Sequence, residues 1–399
     1  MDIRKLRILF VHSGSDLYGA SRSLLRLSSR LAQDGAMVKV ILPHEGPLVA
    51  ALQATGVIVT IQRNLPVLQR QQVENAKGRF RLVTNVFFST ITLLVLVRQF
   101  KPDLIHTMTA VILSSGLAAK LTGIPHIWHI RESFAEFGNL WRYYQRYLLW
   151  LSTKIICVST PVAEQFQPHG NREKICVIHN GFPQEEFAEV NAERVGRFKA
   201  QYCLSDTESL IGVVGRIKFQ RKGQEVFVRA AHLLRDRFPD ARFLCIGSPF
   251  PGNESHLTDL RKLIQELDLE DSVLYTGDVD DIKAAIAALD VLVLSSAQPE
   301  PFGGVVVEAM ALSRPVVATA IGGSVEQVID GATGYLVEPG NVEAMAHGIE
   351  KLLESPERRR DFGRRGRDRF LENFEFKLFY QRILELYRDV LENGFSSGL

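Results

Sequence analysis

Residues 291–313 read Val-Leu-Val-Leu-Ser-Ser-Ala-Gln-Pro-Glu-Pro-Phe-Gly-Gly-Val-Val-Val-Glu-Ala-Met-Ala-Leu-Ser. A β-branched run at Val291–Ser296 stops at a proline- and glycine-rich turn, and a helical pattern runs from Gly304 to Ser313. A second short apolar run, Pro315–Ala320, follows at once. Strand, turn, helix, strand in that order is the mark of a βαβ unit on a parallel sheet.

The same alternation extends outward. Before this unit lie strand-like runs at Ser209–Gly215, Ala241–Gly247 and Val273–Gly277, with helical patterns near Gly223–Phe238, Glu254–Leu269 and Asp281–Leu289. Upstream a separate set begins at Arg7–His12 and continues through Val38–Pro43, Val57–Gln62, Asp103–Met108, Pro125–Arg131, Lys154–Ser159 and Ile175–Asn180. Between the sets, Asn180-Gly181-Phe182-Pro183 opens a polar stretch that reads as an interdomain linker. The pattern predicts an α/β chain of two facing doubly wound, Rossmann-like domains, residues 1–183 and 184–373, with a cleft between them. Phe374–Glu392 has helical apolar spacing and predicts a last helix, within 374–399, that returns to the first domain. In open sheets of this kind ligands lie beyond the carboxyl ends of the strands, so the chemistry belongs in strand-to-helix loops.

Composition agrees with a folded chain. At 399 residues, 46% hydrophobic and 23% charged, with 30 glycines and 16 prolines, it is neither a stapled mini-protein, a collagen-like repeat nor a disordered segment. The four cysteines are far apart and form no CxxC pair, so they read as buried, reduced thiols of a cytoplasmic protein. Arg7 interrupts the apolar run Leu6–Val11, which is too short for the core of a secretion signal. The net charge of +2 hides an asymmetry: residues 1–185 carry 21 Lys and Arg against 11 Asp and Glu, and residues 186–399 carry 26 against 34. A basic first half fits an anionic membrane surface, a phosphorylated ligand or the acidic second half, and equally well charge scattered over a solvated surface. Leu82–Val97 holds no charge and is flanked by Arg79, Arg81, Arg98 and Lys101. It falls short of the roughly 18–20 residues of a membrane span, and reads either as a buried helix or as a face resting on a membrane.

Within the opening stretch, Glu300 ends the strand side of the turn and Glu308 lies about one helical turn inside, so both carboxylates can face one pocket. A helix start at Gly303-Gly304 offers backbone amides to an anion. Glu300 on a sugar hydroxyl, the glycine amides on a diphosphate and Glu308 on a ribose make one coherent ligand. The loop Gly215–Gly223 adds Arg216, Lys218, Arg221 and Lys222, with Arg216 and Lys222 suited to phosphate. Gly14–Ser21 follows the first strand but lacks the GxGxxG spacing of a dinucleotide site. His129 ends a first-domain strand and should face the cleft, whereas His106 reads as structural. Asp278-Val279-Asp280 leads into an ordinary helix rather than a metal site, and the arginines of Arg358–Arg369 are interleaved with acids, as on a solvated helix face rather than a nucleic-acid site.

Taken together, these residues resemble the retaining GT-B glycosyltransferases of family 4, also called glycosyltransferase group 1. The resemblance rests on the E-x7-E pattern of Glu300 and Glu308 inside EPFGGVVVEAM, and on Arg216 with Lys222-Gly223. Gly322-Gly323 followed by Glu326, the TGYLVEPGN stretch and His179-Asn180-Gly181 add to it. It covers nearly the whole chain and is strongest over 209–345. It implies that Glu300 contacts the donor sugar, Glu308 the ribose, Arg216 and Lys222 the diphosphate, and Gly303 and Gly304 the sugar and phosphates, with Phe302 in the same turn. It also implies that Gly19 lies near the leaving phosphate and His129 near the transferred sugar, so that Glu300, Arg216, Lys222 and His129 form the catalytic set. Tyr18 departs from the pattern, which commonly has a second glycine there. The implied activity moves a hexose-type sugar from a nucleoside diphosphate, with retention and with no metal or other cofactor, to a glycan or lipid-linked acceptor in polysaccharide biosynthesis. The implied partners are that donor, that acceptor and, peripherally, an anionic membrane at its inner face; no nucleic acid is implied. The rival readings are an epimerase or hydrolase that uses the two glutamates as acid and base, and a sugar-nucleotide-binding module without turnover.

Overall fold

Short β-branched strands, buried on both faces, set the architecture. The structure is a computed structural model that describes residues 2–69, 72, 75–134, 138–166 and 172–393. By its contacts the chain divides into two units, Met1–His179 with Phe379–Leu399, and Asn180–Leu378.

The first unit holds strands β1 (Arg7–Val11), β2 (Met37–Leu42), β3 (Ile58–Ile61), β4 (Leu104–Thr107), β5 (His126–Ile130), β6 (Lys154–Cys157) and β7 (Ile175–Val177). They form one parallel sheet in the order β3-β2-β1-β4-β5-β6-β7. The second holds β8 (Ser209–Val214), β9 (Ala241–Ile246), β10 (Val273–Gly277), β11 (Val291–Leu294), β12 (Val316–Thr319) and β13 (Gly334–Val337), parallel in the order β10-β9-β8-β11-β12-β13. These are the doubly wound sheets that the alternation predicts. Strand order reverses between β1 and β4 and between β8 and β11, and at such switch points the loops part to leave a crevice. Every residue of β11 and β12 is buried. One side of the second sheet is covered by Phe227, Met345 and Ile349, the other by Ile286, Val307 and Met310. Each such side chain contributes about 1.5–3 kcal/mol of burial.

Four local readings differ from the structure. The polar stretch after Pro183 is not a bare linker but two helices, Glu185–Ala188 and Ala192–Gln201, the latter capped by Asn191 accepting from the Arg194 amide at 3.0 Å. Its larger apolar residues Phe187, Phe198 and Leu204 are buried in the second unit, which anchors it there. The uncharged run lies in a helix, Ala76–Phe100, but is not a buried one: Leu93, Val97 and Phe100 reach the core while Phe80, Val83, Phe87 and Phe88 are exposed. Strand β13 lies within the TGYLVEPGN stretch, where its opening glycine masks the pattern. A Cβ on Gly334 would stand 2.1 Å from the Val316 carbonyl oxygen, so the glycine is what lets β13 approach β12. Cys203 is exposed, unlike Cys157 and Cys245.

The last helix, Phe376–Asn393, contributes to the first unit through Tyr380, whose hydroxyl donates to Asp34 Oδ2 at 2.7 Å. Tyr387 meets His106 Nδ1 at 2.7 Å, and Asp389 pairs with Lys154 at 3.2 Å.

Candidate functional site

In the second unit the loops after β8 and β11 are tied together at the switch point. Gly223 has φ +66°, and a Cβ there would stand 1.8 Å from the Ser295 carbonyl oxygen, so only glycine lets the two backbones touch. Ser295 Oγ donates to the Lys222 carbonyl at 3.0 Å, and the Ala297 amide donates to the Arg221 carbonyl at 3.0 Å. This stitching brings the Lys222 ammonium onto Glu300 Oε1, which also accepts from Ser296 Oγ. The sequence assigned Lys222 and Glu300 to different parts of a ligand, and the structure pairs them with each other. Both remain reachable, with side chains 30% and 17% exposed.

Around the pair sits a cluster of cations. The Arg216 guanidinium lies over the Phe250 ring at 4.9 Å. Burial, and then Arg221, Lys222 and Arg216, lower the pKa of Lys218, which registers how closely these charges are crowded.

A third loop, after β12, presses on Glu300 from the other side. Gly322 has φ +67°, and a Cβ on it would lie 2.3 Å from the Glu300 carbonyl oxygen; a Cβ on Gly323 would lie 2.7 Å from that of Pro301. The Gly323 amide donates to the Glu300 carbonyl at 2.8 Å. Arg369 holds the segment that follows, donating to the carbonyls of Gln327 at 2.7 Å and Glu326 at 2.6 Å. The arginine-rich helix Pro356–Asn373 is therefore turned partly inward, not wholly solvated.

The helix Gly304–Ala311 buries Val306, Val307, Ala309 and Met310. Gly304 and Glu308, four residues apart, share its half-buried side. The Gly304 amide, expected on a ligand, donates to the Phe302 carbonyl at 3.0 Å and closes the turn. Phe302 meets Phe374 edge-on at 6.0 Å and belongs to the packing that fixes the turn.

The first unit has a different edge. At the end of β1, His12 Nε2 lies 3.0 Å from Ser21 Oγ, which donates to Asp16 Oδ1 at 2.9 Å. Asp16 Oδ1 also accepts from the Tyr18 amide at 2.9 Å. Burial and the nearby Arg131 push His12 down to about 4. Tyr18 has φ −82°, open to any residue, so the loop backbone does not need the missing glycine. Gly19 opens the helix Gly19–Gln33, and a Cβ on it would meet nothing within 4 Å, so what it offers is open space.

His129 does not face outward as expected: it is fully covered, its ring stacked on His106 at 5.5 Å, with Nε2 3.2 Å from an Arg131 nitrogen. Burial, then Arg131 and His106, hold it far below the ordinary histidine range, so the imidazole is neutral. The sequence reading passed over its neighbours. Arg131 donates to Ser23 Oγ at 2.8 Å, and Glu132 accepts from Thr109 Oγ1, from the Ala110 amide at 3.2 Å and from the Arg131 amide at 2.9 Å. Burial raises the pKa of Glu132 and lowers that of Arg131 to about 10. The signal was an adjacent Arg-Glu at the carboxyl end of a strand.

The second unit thus holds fixed, partly exposed cations beside a carboxylate, an arrangement suited to a diphosphate and a hydroxylated group bound side by side. Asp281, beside the acidic run, caps the helix Ile282–Ala288 through the Ala284 amide at 3.1 Å and pairs with Arg194 at 2.8 Å.

Comparison with known proteins bears on what this edge does. The family profile described as Glycosyl transferases group 1 matches residues 196–369, and that described as Glycosyltransferase Family 4 matches residues 18–186. The chain is 30% identical over 197 residues to N-acetyl-alpha-D-glucosaminyl L-malate synthase of Bacillus anthracis, spanning 49% of this chain and 50% of that one. It is 26% identical over 319 residues to the capsular polysaccharide biosynthesis glycosyltransferase CapM of Staphylococcus aureus, spanning 77% and 82%. The structure of Anabaena HepE in complex with UDP superposes with a TM-score of 0.82 at 23% identity, covering 96% of this chain and all of that one, a likeness of fold.

Proposed function

Because the chain belongs to the group 1 glycosyltransferases of family 4, we propose that it moves a hexose-type sugar from a nucleoside diphosphate to a glycan or lipid-linked acceptor, with retention and without a metal. The observation that carries this reading is the Lys222–Glu300 pair, set by Gly223 among the cations of the β8 loop.

Breaking the bond between the anomeric carbon and the diphosphate leaves negative charge on the departing oxygen. Fixed cations at that oxygen stabilise the transition state more than the ground state. In this reading Arg216 and Lys222 hold the diphosphate and take the place of a divalent ion. Glu300 orients the sugar, and Glu308 takes the ribose hydroxyls. The acceptor oxygen attacks on the face the diphosphate leaves, a carbon–oxygen bond forms as the other breaks, and the acceptor proton passes to the leaving phosphate oxygen. Gly19 leaves open space at the carboxyl edge of the first unit, room for a ligand group to approach. His129, buried and neutral, acts by shaping the β5 edge rather than by donating a proton.

CapM is named for capsular polysaccharide biosynthesis, which supports a glycan acceptor, and the UDP in the HepE structure puts uridine diphosphate sugars first among donors to try. The test is to incubate the protein in EDTA with uridine and guanosine diphosphate sugars and candidate acceptors, and to read the product's anomeric configuration by NMR. An α-linked product from an α-linked donor, lost in Glu308→Ala, is expected. Turnover of donor to an isomer without acceptor would overturn the reading in favour of an epimerase.

A further inference from the structure

The helix Ala76–Phe100 contains a window apolar enough to cross a membrane, yet only 28% of that window is buried. It cannot cross one while folded as it is. Leu93, Val97 and Phe100 sit in the core with Leu9, Val11 and Ile105, and Ser89 is held in buried hydrogen bonds with Gln62 at 2.8 Å and Ser114 at 2.9 Å. Its remaining face is met from outside, where Phe80 is 73% and Phe87 62% exposed.

Beside that face lies an open groove of about 710 Å³, between this helix and the helices Ser114–Thr122 and Gly138–Leu151. Val83, Phe87, Ile91, Leu117, Trp141 and Tyr147 are among its lining residues, none of which is charged. Most of its polar atoms are already engaged by the protein. The Tyr144 hydroxyl donates to the Ala110 carbonyl, that of Tyr147 to the Leu113 carbonyl at 2.8 Å, and Trp141 Nε1 to the Gln165 carbonyl at 3.3 Å. What the groove presents is chiefly ring faces and methyl groups, a lining that suits hydrocarbon.

Among the described residues, the charges carried by the three helices are all cationic. The long helix carries Lys77, Arg79, Arg81 and Arg98, all exposed; the other two add Lys120, Arg142 and Arg146, also exposed. None of the three helices contains an aspartate or glutamate. Tyr143 and Trp150 stand exposed among these charges, with Lys120 Nζ 5.9 Å from the Trp150 ring centre. Aromatic and basic side chains around an apolar stripe are the composition of a segment that lies in the headgroup region of a membrane. A second copy of the chain would set like charges against like.

We propose that this three-helix face is a docking surface for an anionic lipid bilayer, with the groove receiving a hydrocarbon chain from it. The proposal stands on the first unit alone and does not rest on the donor-site reading.

The experiment is flotation of the full chain with phosphatidylcholine vesicles, and with the same vesicles containing phosphatidylglycerol, in the absence of any sugar nucleotide. Flotation with the anionic vesicles only, weakened roughly tenfold or more by Arg79→Gln with Arg81→Gln, is expected. A Phe87→Ser variant should also lose binding while keeping its circular dichroism spectrum. Entry of a chain into the groove is read in Trp150→Phe, where lipid brominated on the acyl chain should quench Trp141. Equal flotation with both vesicle types, or absence of quenching, overturns the proposal. So does a concentration-dependent dimer abolished by Phe87→Ser with no vesicle binding, which would give the face to a second copy.

Discussion

The two units share one strand order around their switch points and use their carboxyl edges in opposite ways. In the second, backbone does the positioning: Gly223, Gly322 and Gly323 let three loops touch, and the ionic groups they carry stay partly exposed. In the first, side chains do it: His12 and His129 are buried, with Arg131 and Glu132 half-buried beside them and Arg131 within reach of His129, and much of the exposed surface of its long helix is apolar and basic. Topology therefore fixes where a site lies but not its chemistry, which follows from whether the loops are closed by glycine or by buried polar groups.

The largest effect should come from the exposed pair. Lys222→Ala should lower kcat by roughly a hundred- to a thousandfold, the scale for removing one donor at a developing charge. Steady-state turnover of the accepted donor measures it, and a loss under threefold would mean that the second edge is not where charge develops.

Next comes the backbone. Gly223→Ala should cost about 3 kcal/mol or more, since it adds left-handed strain to a clash with the Ser295 carbonyl. Urea unfolding reads this directly, and a near-neutral result would break the contrast between glycine-closed and side-chain-closed loops.

The third effect concerns the buried histidines, which set the acid response of the first unit. His12 is held near 4 and His126 near 3, with His106 and His129 lower than ordinary as well, so below the usual histidine range the unfolded chain binds protons that the folded chain does not. Stability is then complete above about pH 6.5 and falls as the pH drops towards 4, by on the order of 3 kcal/mol for His12 alone. Glu132, raised by burial, has the opposite sign and offsets part of this loss on acidification. Trp128, Trp141 and Trp150 all report on the first unit, so tryptophan fluorescence should show an acid transition at higher pH than far-UV circular dichroism of the whole chain. Coincident transitions would show that the histidines do not set the first unit apart.

The smallest effect is at Gly19. A Cβ there meets nothing, so Gly19→Ala should change stability by no more than about 0.5 kcal/mol. Any loss of activity in that variant then reports a ligand coming close, which sharpens the first unit's part in the reaction.

What the sequence made legible follows the same division. Among the described residues, alternation of β-branched runs and helical patterns located twelve of the thirteen strands, missing only β13, whose leading glycine breaks the run. The glutamates of EPFGGVVVEAM could be read because a strand, a turn and a helix start in one short stretch place them. That Lys222 meets Glu300 could not, because the pairing joins residues 78 positions apart through the contact of two loops. Nor could the burial of His129, since whether a polar residue at a strand end faces water or core depends on the neighbouring strand. For the helix Ala76–Phe100 the sequence left a buried helix and an exposed face both open, for a related reason: an uncharged run gives apolarity but not what covers it.

The central claim is that the diphosphate of the donor is held at the second unit's edge by Lys222 and Arg216. The most direct measurement is the shift in melting temperature that a panel of nucleoside diphosphate sugars produces in the wild-type chain, in Lys222→Ala and in Phe87→Ser. The account predicts that one donor raises the melting temperature of the wild type and of Phe87→Ser and leaves that of Lys222→Ala unmoved. A shift that survives in Lys222→Ala, or the absence of a shift with every donor, would contradict it.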